Sequence, residues 1–343
     1  MIQIDLLLPF ILPPAAMASD LMREIKAPSL EMLIGRADGG KPHVLDDFAH
    51  ALPHERWLAG RFSLPSVEHS SPTIACAAMA RHGLAAEEGV WFMLQPTHFH
   101  IARDHLVLTD QRHLNLSDAD ARALFTQAQK SFGAAGLTLV WGSSTEWFVR
   151  ADAWTDLHTA TPDAACGHNI DIWMPKGPGD RDWRKIQNEV QMDWHDSAVN
   201  AGREARGLKP VNSLWLWGAA TPANLSVSHY SHAAGLHGWT EAFMASDCGS
   251  IVGLIERAPK RGLGMIDGLT EAAMAGDWAE WLARVNALET TCFLPLVNAL
   301  QGGWLDKVTL VVTHNTRLTE YYVEPKSLVK IWRKVSLKRL AEG

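Results

Sequence analysis

The chain has 343 residues, 47% of them hydrophobic and 20% charged, with 31 basic against 38 acidic side chains. That composition excludes a disordered chain, a disulfide-stapled miniprotein and a membrane-spanning protein. A net charge of −7 argues against a nucleic-acid partner drawn in by a broad positive field.

In chain order, residues 2–12 are predicted as a buried strand, because an apolar run there gives way to the Pro13-Pro14 loop. The run lacks the basic flank of a secretory leader and carries Asp5 instead. Ala18 to Leu33 is predicted as helix, with Leu21, Ile25, Leu30 and Leu33 as its apolar face and a break at Pro28. Residues 36–72, rich in Asp, Gly, His and Pro, read as loop around a short helix near His54 to Leu58. Pro72 to His82 reads as a second apolar helix.

From Val90 the texture changes. Val90 to Leu94 and His98 to Ile101 are strand-like. Ser117 followed by Asp118 and Asp120 predicts a capped helix whose buried face is Leu124, Phe125, Ala128 and Phe132. Strands are expected at Leu137–Trp141 and Glu146–Ala151, then one long helix from Trp183 to Arg206. Asn212 to Gly218 alternates as a strand, with Trp215 and Trp217 on one face and Leu214 and Leu216 on the other. Further on, Gly249–Ile255 is predicted as strand, Gly268–Leu300 as mostly helix and Val308–Thr313 as a buried strand. The basic tail from Lys326 to Arg339 is expected to be a solvated helix, with a partner-binding or membrane-surface helix, which would need a wide apolar face, as its functional alternative. Neither a membrane nor a nucleic acid is expected as a partner.

The chain's 15 Trp residues call for wide cores or an aromatic-lined cleft, and core volume is the simpler account. Cys76, Cys166, Cys248 and Cys292 form no C-x-x-C pair, which fits a reducing, cytoplasmic setting. His98 and His100, two apart on a strand, point to one side and with Asp104 form a candidate metal set. A half-polar strand end, with close pairs arising by chance among 16 His, is the simpler account. The Ser228–His232 run with His237 lacks a nucleophile elbow and reads as polar loop. The Thr161–Pro175 loop, carrying His168 and Asp171, has the polar density of binding loops, and equally of an ordered connector whose Asn and Asp cap backbone groups. Asn200, Arg203 and Asn212 lie near the Trp-rich strand, where an Arg fork and two amides suit a small anion, and equally suit a helix–sheet packing element.

The run from Val199-Asn200 through Arg203, Gly207, Pro210 and Asn212 to Trp215-Leu216-Trp217-Gly218 resembles the segment that closes the inserted domain of archaeal-type cofactor-independent phosphoglycerate mutases. Thr161-Pro162-Asp163 with Gly167 is similar to a loop of the same insert. Ala27–Leu33 is similar to an early helix of alkaline-phosphatase-superfamily enzymes, and Ala287–Glu289 with Leu310–Thr316 to their last helix and strand. The whole also resembles the uncharacterised proteobacterial RpfE-type regulatory proteins. The resemblance implies an α/β fold: an alkaline-phosphatase-like core with a mainly parallel sheet flanked by helices, interrupted by a smaller inserted α+β domain. It matches the change of texture, so residues 1–88 and 219–343 are expected to form the core and 89–218 the insert.

It also implies two divalent metals and a Ser or Thr nucleophile, and there the sequence departs. Leu8-Pro9-Phe10 stands where the first carboxylate is due, Gly276–Trp281 contains no His, and Thr313-His314-Asn315 replaces the final Asp-His pair. The expectation is therefore a non-catalytic relative with a regulatory or metabolite-sensing role, needing no cofactor. A small anionic metabolite would be held by His168, Asp171, Asn200, Arg203 and Asn212. The alternative is an active metal-dependent phosphomutase or phosphatase, with manganese or zinc at a relocated site such as His98, His100 and Asp104.

Overall fold

The computed structural model describes residues 1–65, 69–225, 228–244 and 246–341. Residues 66–68 of the expected loop and 226–227, 245 and 342–343 of the expected core domain lie outside the described residues. The strands, in chain order, are β1 (Gln3–Leu8), β2 (Asp38–Val44), β3 (Trp91–Thr97), β4 (Phe99–Ala102), β5 (His105–Leu108) and β6 (Leu139–Trp141). They continue with β7 (Trp147–Arg150), β8 (Ser213–Ala220), β9 (His232–Ala234), β10 (Gly262–Met265), β11 (Lys307–Thr313) and β12 (Arg317–Val323). The chain divides into two compact units, Met1–Asp47 with Ser228–Gly343, and Phe48–Val227.

The first unit holds a six-stranded sheet in the order β2-β12-β11-β1-β10-β9, with β11, β1, β10 and β9 parallel and the β12 and β2 edge antiparallel. A parallel sheet must be covered by helices on its crossovers, which is why β1 and β11 read as nearly unbroken apolar runs. Ile4, Leu6 and Leu8 are buried in one core with Leu30, Leu33 and Ile34 of helix Pro28–Arg36, Trp281 and Val285 of helix Trp278–Leu288, and Leu296 and Leu300. Each such side chain contributes about 1.5–3 kcal/mol on burial. Asp5 points away from that core. It accepts the Tyr230 hydroxyl at 2.7 Å and lies 3.6 Å from the Arg261 guanidinium, so its charge is compensated.

The second unit is built on the antiparallel sheet β6-β7-β3-β8, with the β4-β5 hairpin as a separate two-stranded piece. Leu214 and Leu216 of β8 enter its core with Phe92, Leu94, Trp147 and Val149. Helix Asp118–Ala134 and helix Asp180–His195 cover that face with Leu124, Phe125, Trp183, Ile186, Val190 and Trp194. Trp147 meets Phe125 edge-on at 5.1 Å and Trp194 at 6.0 Å. Much of the tryptophan is therefore core volume.

The structure places the breaks between units at 47/48 and 227/228, where the sequence texture suggested 88/89 and 218/219. The Ala-rich helix Ala75–Arg81 goes with the second unit: the Ile74 N–H donates to the Gly218 carbonyl at 3.2 Å, and the Gly218 N–H to the Ser71 hydroxyl at 2.9 Å. Three local expectations are corrected. The long helix is two, Asp180–His195 and Ala198–Ala205, because the Ser197 hydroxyl caps the second. Residues 251–256 are helical, capped by Ser250, rather than a strand. The basic tail is two short helices, Pro325–Leu328 and Lys338–Ala341, separated by irregular chain. No helix among the described residues is long and apolar enough to cross a membrane.

Candidate functional site

In an open parallel sheet, ligands are expected at the carboxyl ends of the strands. In the first unit, β1 ends at Leu8 and turns through Pro9 to Phe10. Phe10 is buried at φ 55°, a left-handed conformation costing a non-glycine residue on the order of 1 kcal/mol. The Trp281 indole N–H donates to its carbonyl at 2.8 Å, and its own N–H reaches the Thr313 hydroxyl at 3.4 Å. Past β10, the Asp267 carboxylate accepts the Thr270 hydroxyl at 2.5 Å at the first residue of helix Thr270–Ala275. Past β11, burial and the Arg317 charge hold the His314 pKa below its usual value. Two-metal phosphoryl chemistry needs several carboxylates and imidazoles within reach of both cations. Among the described residues no three His, Cys, Asp or Glu side chains are gathered so as to hold a metal. The donor set at this edge does not fit a metal pair.

A second concavity lies wholly within the second unit. It is a groove of about 440 Å³ between the β4-β5 hairpin and helix Asp180–His195, lined by His98, His100, Gln191, His195 and Asn212 with Phe99, Ile101 and Leu106. The His98 Nδ1 lies 2.8 Å from the Pro210 carbonyl, so that nitrogen carries the proton and Nε2 keeps its lone pair. Burial, opposed by that bond, lowers the His98 pKa and keeps the ring neutral near pH 7. Gln191 donates to the Ser213 hydroxyl at 2.9 Å. Asn212 accepts the Phe99 N–H at 2.7 Å and donates to the Phe99 carbonyl at 2.9 Å, which fixes the hairpin against β8. The result is a pocket of ring N–H and lone-pair positions over an apolar floor, suited to a small polar ligand.

Sequence reasoning missed a buried polar cluster in the same unit. Glu55, fully buried at the start of helix Pro53–Arg61, accepts the Thr161 hydroxyl at 2.6 Å and the Leu52 N–H at 2.7 Å. Burial and the Asp163 charge push its carboxyl up to about 8. Its neighbour His54, also fully buried, is held down to about 4 by burial. Asp163 is engaged by a two-pronged Arg112 contact at 3.1 Å on each oxygen, and Arg112 reaches Asp110 as well. The available signal was the Leu52-Pro53-His54-Glu55 run, in which a Glu three residues past a helix start reaches back to the chain.

Of the expected substrate residues, only Asn212 joins the groove, alongside the candidate ligands His98 and His100. Asp104 projects into solvent and pairs with its neighbour His105 at 3.0 Å. His168 stacks on Trp173 at 5.1 Å, and Asp171 is exposed on a turn capped by Asn169. Asn200 is buried, donating to the Trp194 and Val211 carbonyls at 2.8 and 2.9 Å and accepting the Val211 N–H at 2.8 Å. Arg203 is fully buried, its guanidinium used by the Lys209, Asn115 and Leu114 carbonyls and by Asp120. These two polar side chains anchor helix Ala198–Ala205 inside the unit and leave no fork for an anion.

No protein-family model matches the chain, and no curated protein matches it in sequence. Among solved structures, the PH0037 protein from Pyrococcus horikoshii superposes at a TM-score of 0.57 and 10% identity, over 100% of this chain and 92% of that one. The two share a fold. A cofactor-independent phosphoglycerate mutase from Thermoplasma acidophilum DSM 1728 superposes at a TM-score of 0.45 and 14% identity, over 100% of this chain and 95% of that one.

Proposed function

We propose that this chain is a non-catalytic member of the phosphoglycerate-mutase-like, alkaline-phosphatase-type proteins, with a regulatory or metabolite-sensing role of the RpfE type. Its ligand is a small anionic metabolite taken up by the His98, His100 and His195 groove. The resemblance carried by the Trp-rich segment supports the family reading, and the α/β core with its mainly parallel sheet agrees with it. The observation that carries the non-catalytic reading is the closed edge at Phe10. Where two-metal chemistry needs a carboxylate, an aromatic side chain is buried and its carbonyl is capped by Trp281. A ligand with a phosphate or carboxylate suits the groove because the His100 and His195 rings offer N–H groups to such oxygens, unlike His98, whose N–H serves the Pro210 carbonyl.

The test is metal content and thermal shift on one purified sample. The expected result is no stoichiometric manganese or zinc, and a melting temperature raised by phosphorylated three-carbon acids. A stoichiometric metal together with hydrolysis of a generic phosphate ester would overturn the reading in favour of the active enzyme.

A further inference from the structure

The C-terminal segment of the first unit places bare apolar side chains next to a basic pocket. After helix Pro325–Leu328 the chain runs through turns in which Ile331 is 83% exposed, Trp332 75%, and Val329 is exposed as well. A cluster of large apolar side chains this bare marks an interaction surface. The next residues wall a pocket of about 580 Å³, in which Arg333, Lys334, Lys338 and Arg339 stand against the single carboxylate of Asp38. Arg333 and Arg339 are held there by carbonyls at the end of helix Pro28–Arg36, and Lys330 and Arg333 both pair with Asp38. Lys334 and Lys338 are exposed.

We propose that this face docks on a membrane surface rich in anionic phospholipid, with the exposed Lys334 and Lys338 of the basic pocket meeting lipid phosphates and Ile331 and Trp332 entering the interfacial layer. Charge complementarity selects the occupant. A soluble acidic ligand would meet Lys334 and Lys338 but leave Ile331 and Trp332 in water. A lipid surface meets both, because an indole rests at the headgroup boundary while phosphates draw the cations. With a net charge of −7 the chain as a whole has no attraction to an anionic surface, so a local basic patch has to supply it. As one continuous helix the tail would lack the wide apolar face that a membrane-surface helix needs. The irregular chain instead leaves Ile331 and Trp332 exposed close in sequence to Lys334.

Co-sedimentation of the full-length protein with vesicles tests the docking. Phosphatidylcholine vesicles in which one lipid in three is phosphatidylglycerol should pull the protein down at low salt, and pure phosphatidylcholine vesicles should not. The bound fraction should fall about tenfold for Ile331→Ala with Trp332→Ala, and for Lys334→Glu with Lys338→Glu. All four side chains are exposed, so an unchanged melting temperature will certify the fold of each variant. Absence of binding to the anionic vesicles overturns the proposal, as does binding that survives in both double variants. Loss on charge reversal with full binding by the apolar variant also overturns it, and points to an acidic protein or soluble anion instead.

Discussion

The Trp281 indole N–H donates at 2.8 Å to the carbonyl of Phe10, linking helix Trp278–Leu288 to the first residues past β1. Both side chains are buried, so the bond lies inside the protein at the carboxyl end of β1. Trp281→Phe keeps most of the ring volume but leaves a buried acceptor without its donor, and should cost about 1–3 kcal/mol. Trp281→Ala adds a cavity and should cost about 3–5 kcal/mol. Urea unfolding measures both. An alanine variant within 1 kcal/mol of the parent would mean that this edge is open rather than sealed.

Arg203 gives a prediction that separates anchoring from ligand binding. Its donors serve three backbone carbonyls and Asp120, so Arg203→Ala strands buried acceptors and should cost roughly 3 kcal/mol. Arg203→Lys should recover little, because one ammonium cannot reach the positions of a planar fork. The ligand-induced melting shift should persist in Arg203→Ala and vanish in His195→Ala, whose side chain lines the groove. Thermal melts with and without a phosphorylated three-carbon acid read both effects; a shift lost in Arg203→Ala alone would return the anion to that residue.

The contrast between Asn212 and Arg203 shows what was legible. Local signals carried their elements: the Ser117 cap starts helix Asp118–Ala134 as read, and the Leu/Trp alternation fixed the two faces of β8. Apolar runs disclosed β1 and β11, whose burial is total along most of their length. The missed strands β2 and β12 have mixed polarity because they form one margin of the sheet, and pairing rather than composition makes them strands. At the site, residue type announced polarity but not its use. An Arg and two amides near a Trp-rich strand were visible, and only the fold shows that Arg203 and Asn200 face carbonyls. His195 and Gln191 entered the groove unannounced, because a helix brings them to a hairpin some ninety residues earlier in the chain.

Gly35 sets how closely the tail can approach helix Pro28–Arg36. A Cβ there would lie 2.5 Å from the Lys334 carbonyl oxygen, 2.9 Å from the Ser336 nitrogen and 3.0 Å from the Val335 Cα, all backbone. Gly35→Ala must therefore push the segment outward and stretch the Arg333 and Arg339 contacts to the helix carbonyls. Trypsin cleavage after Arg333, Lys334 or Lys338 should then speed up about tenfold, the effect of roughly 1.4 kcal/mol on local opening. Unchanged cleavage would show that the segment yields without loosening.

Glu55 makes a prediction about pH. Below its unfolded value near 4.5 both states hold the proton. From there to about 8 the unfolded chain has released it while the folded chain keeps it, so this group's contribution to stability is lost as pH rises. His54 acts in the opposite sense between about 4 and 6.5, where the unfolded chain binds a proton that the folded one excludes. The two slopes offset one another up to about 6.5, and above it the Glu55 slope stands without that opposition. Stability should therefore decline by about 1–1.5 kcal/mol between pH 6.5 and 8, less than the ceiling of about 1.4 kcal/mol per pH unit because Glu55 is half-ionised at 8. Glu55→Gln can still accept from Thr161 and Leu52 but has no proton to lose, so its stability should be flat across that window and exceed the parent's above it. Urea midpoints at pH 6.5, 7.25 and 8 provide the comparison, and a parent slope matched by the Gln variant would assign the pH dependence elsewhere.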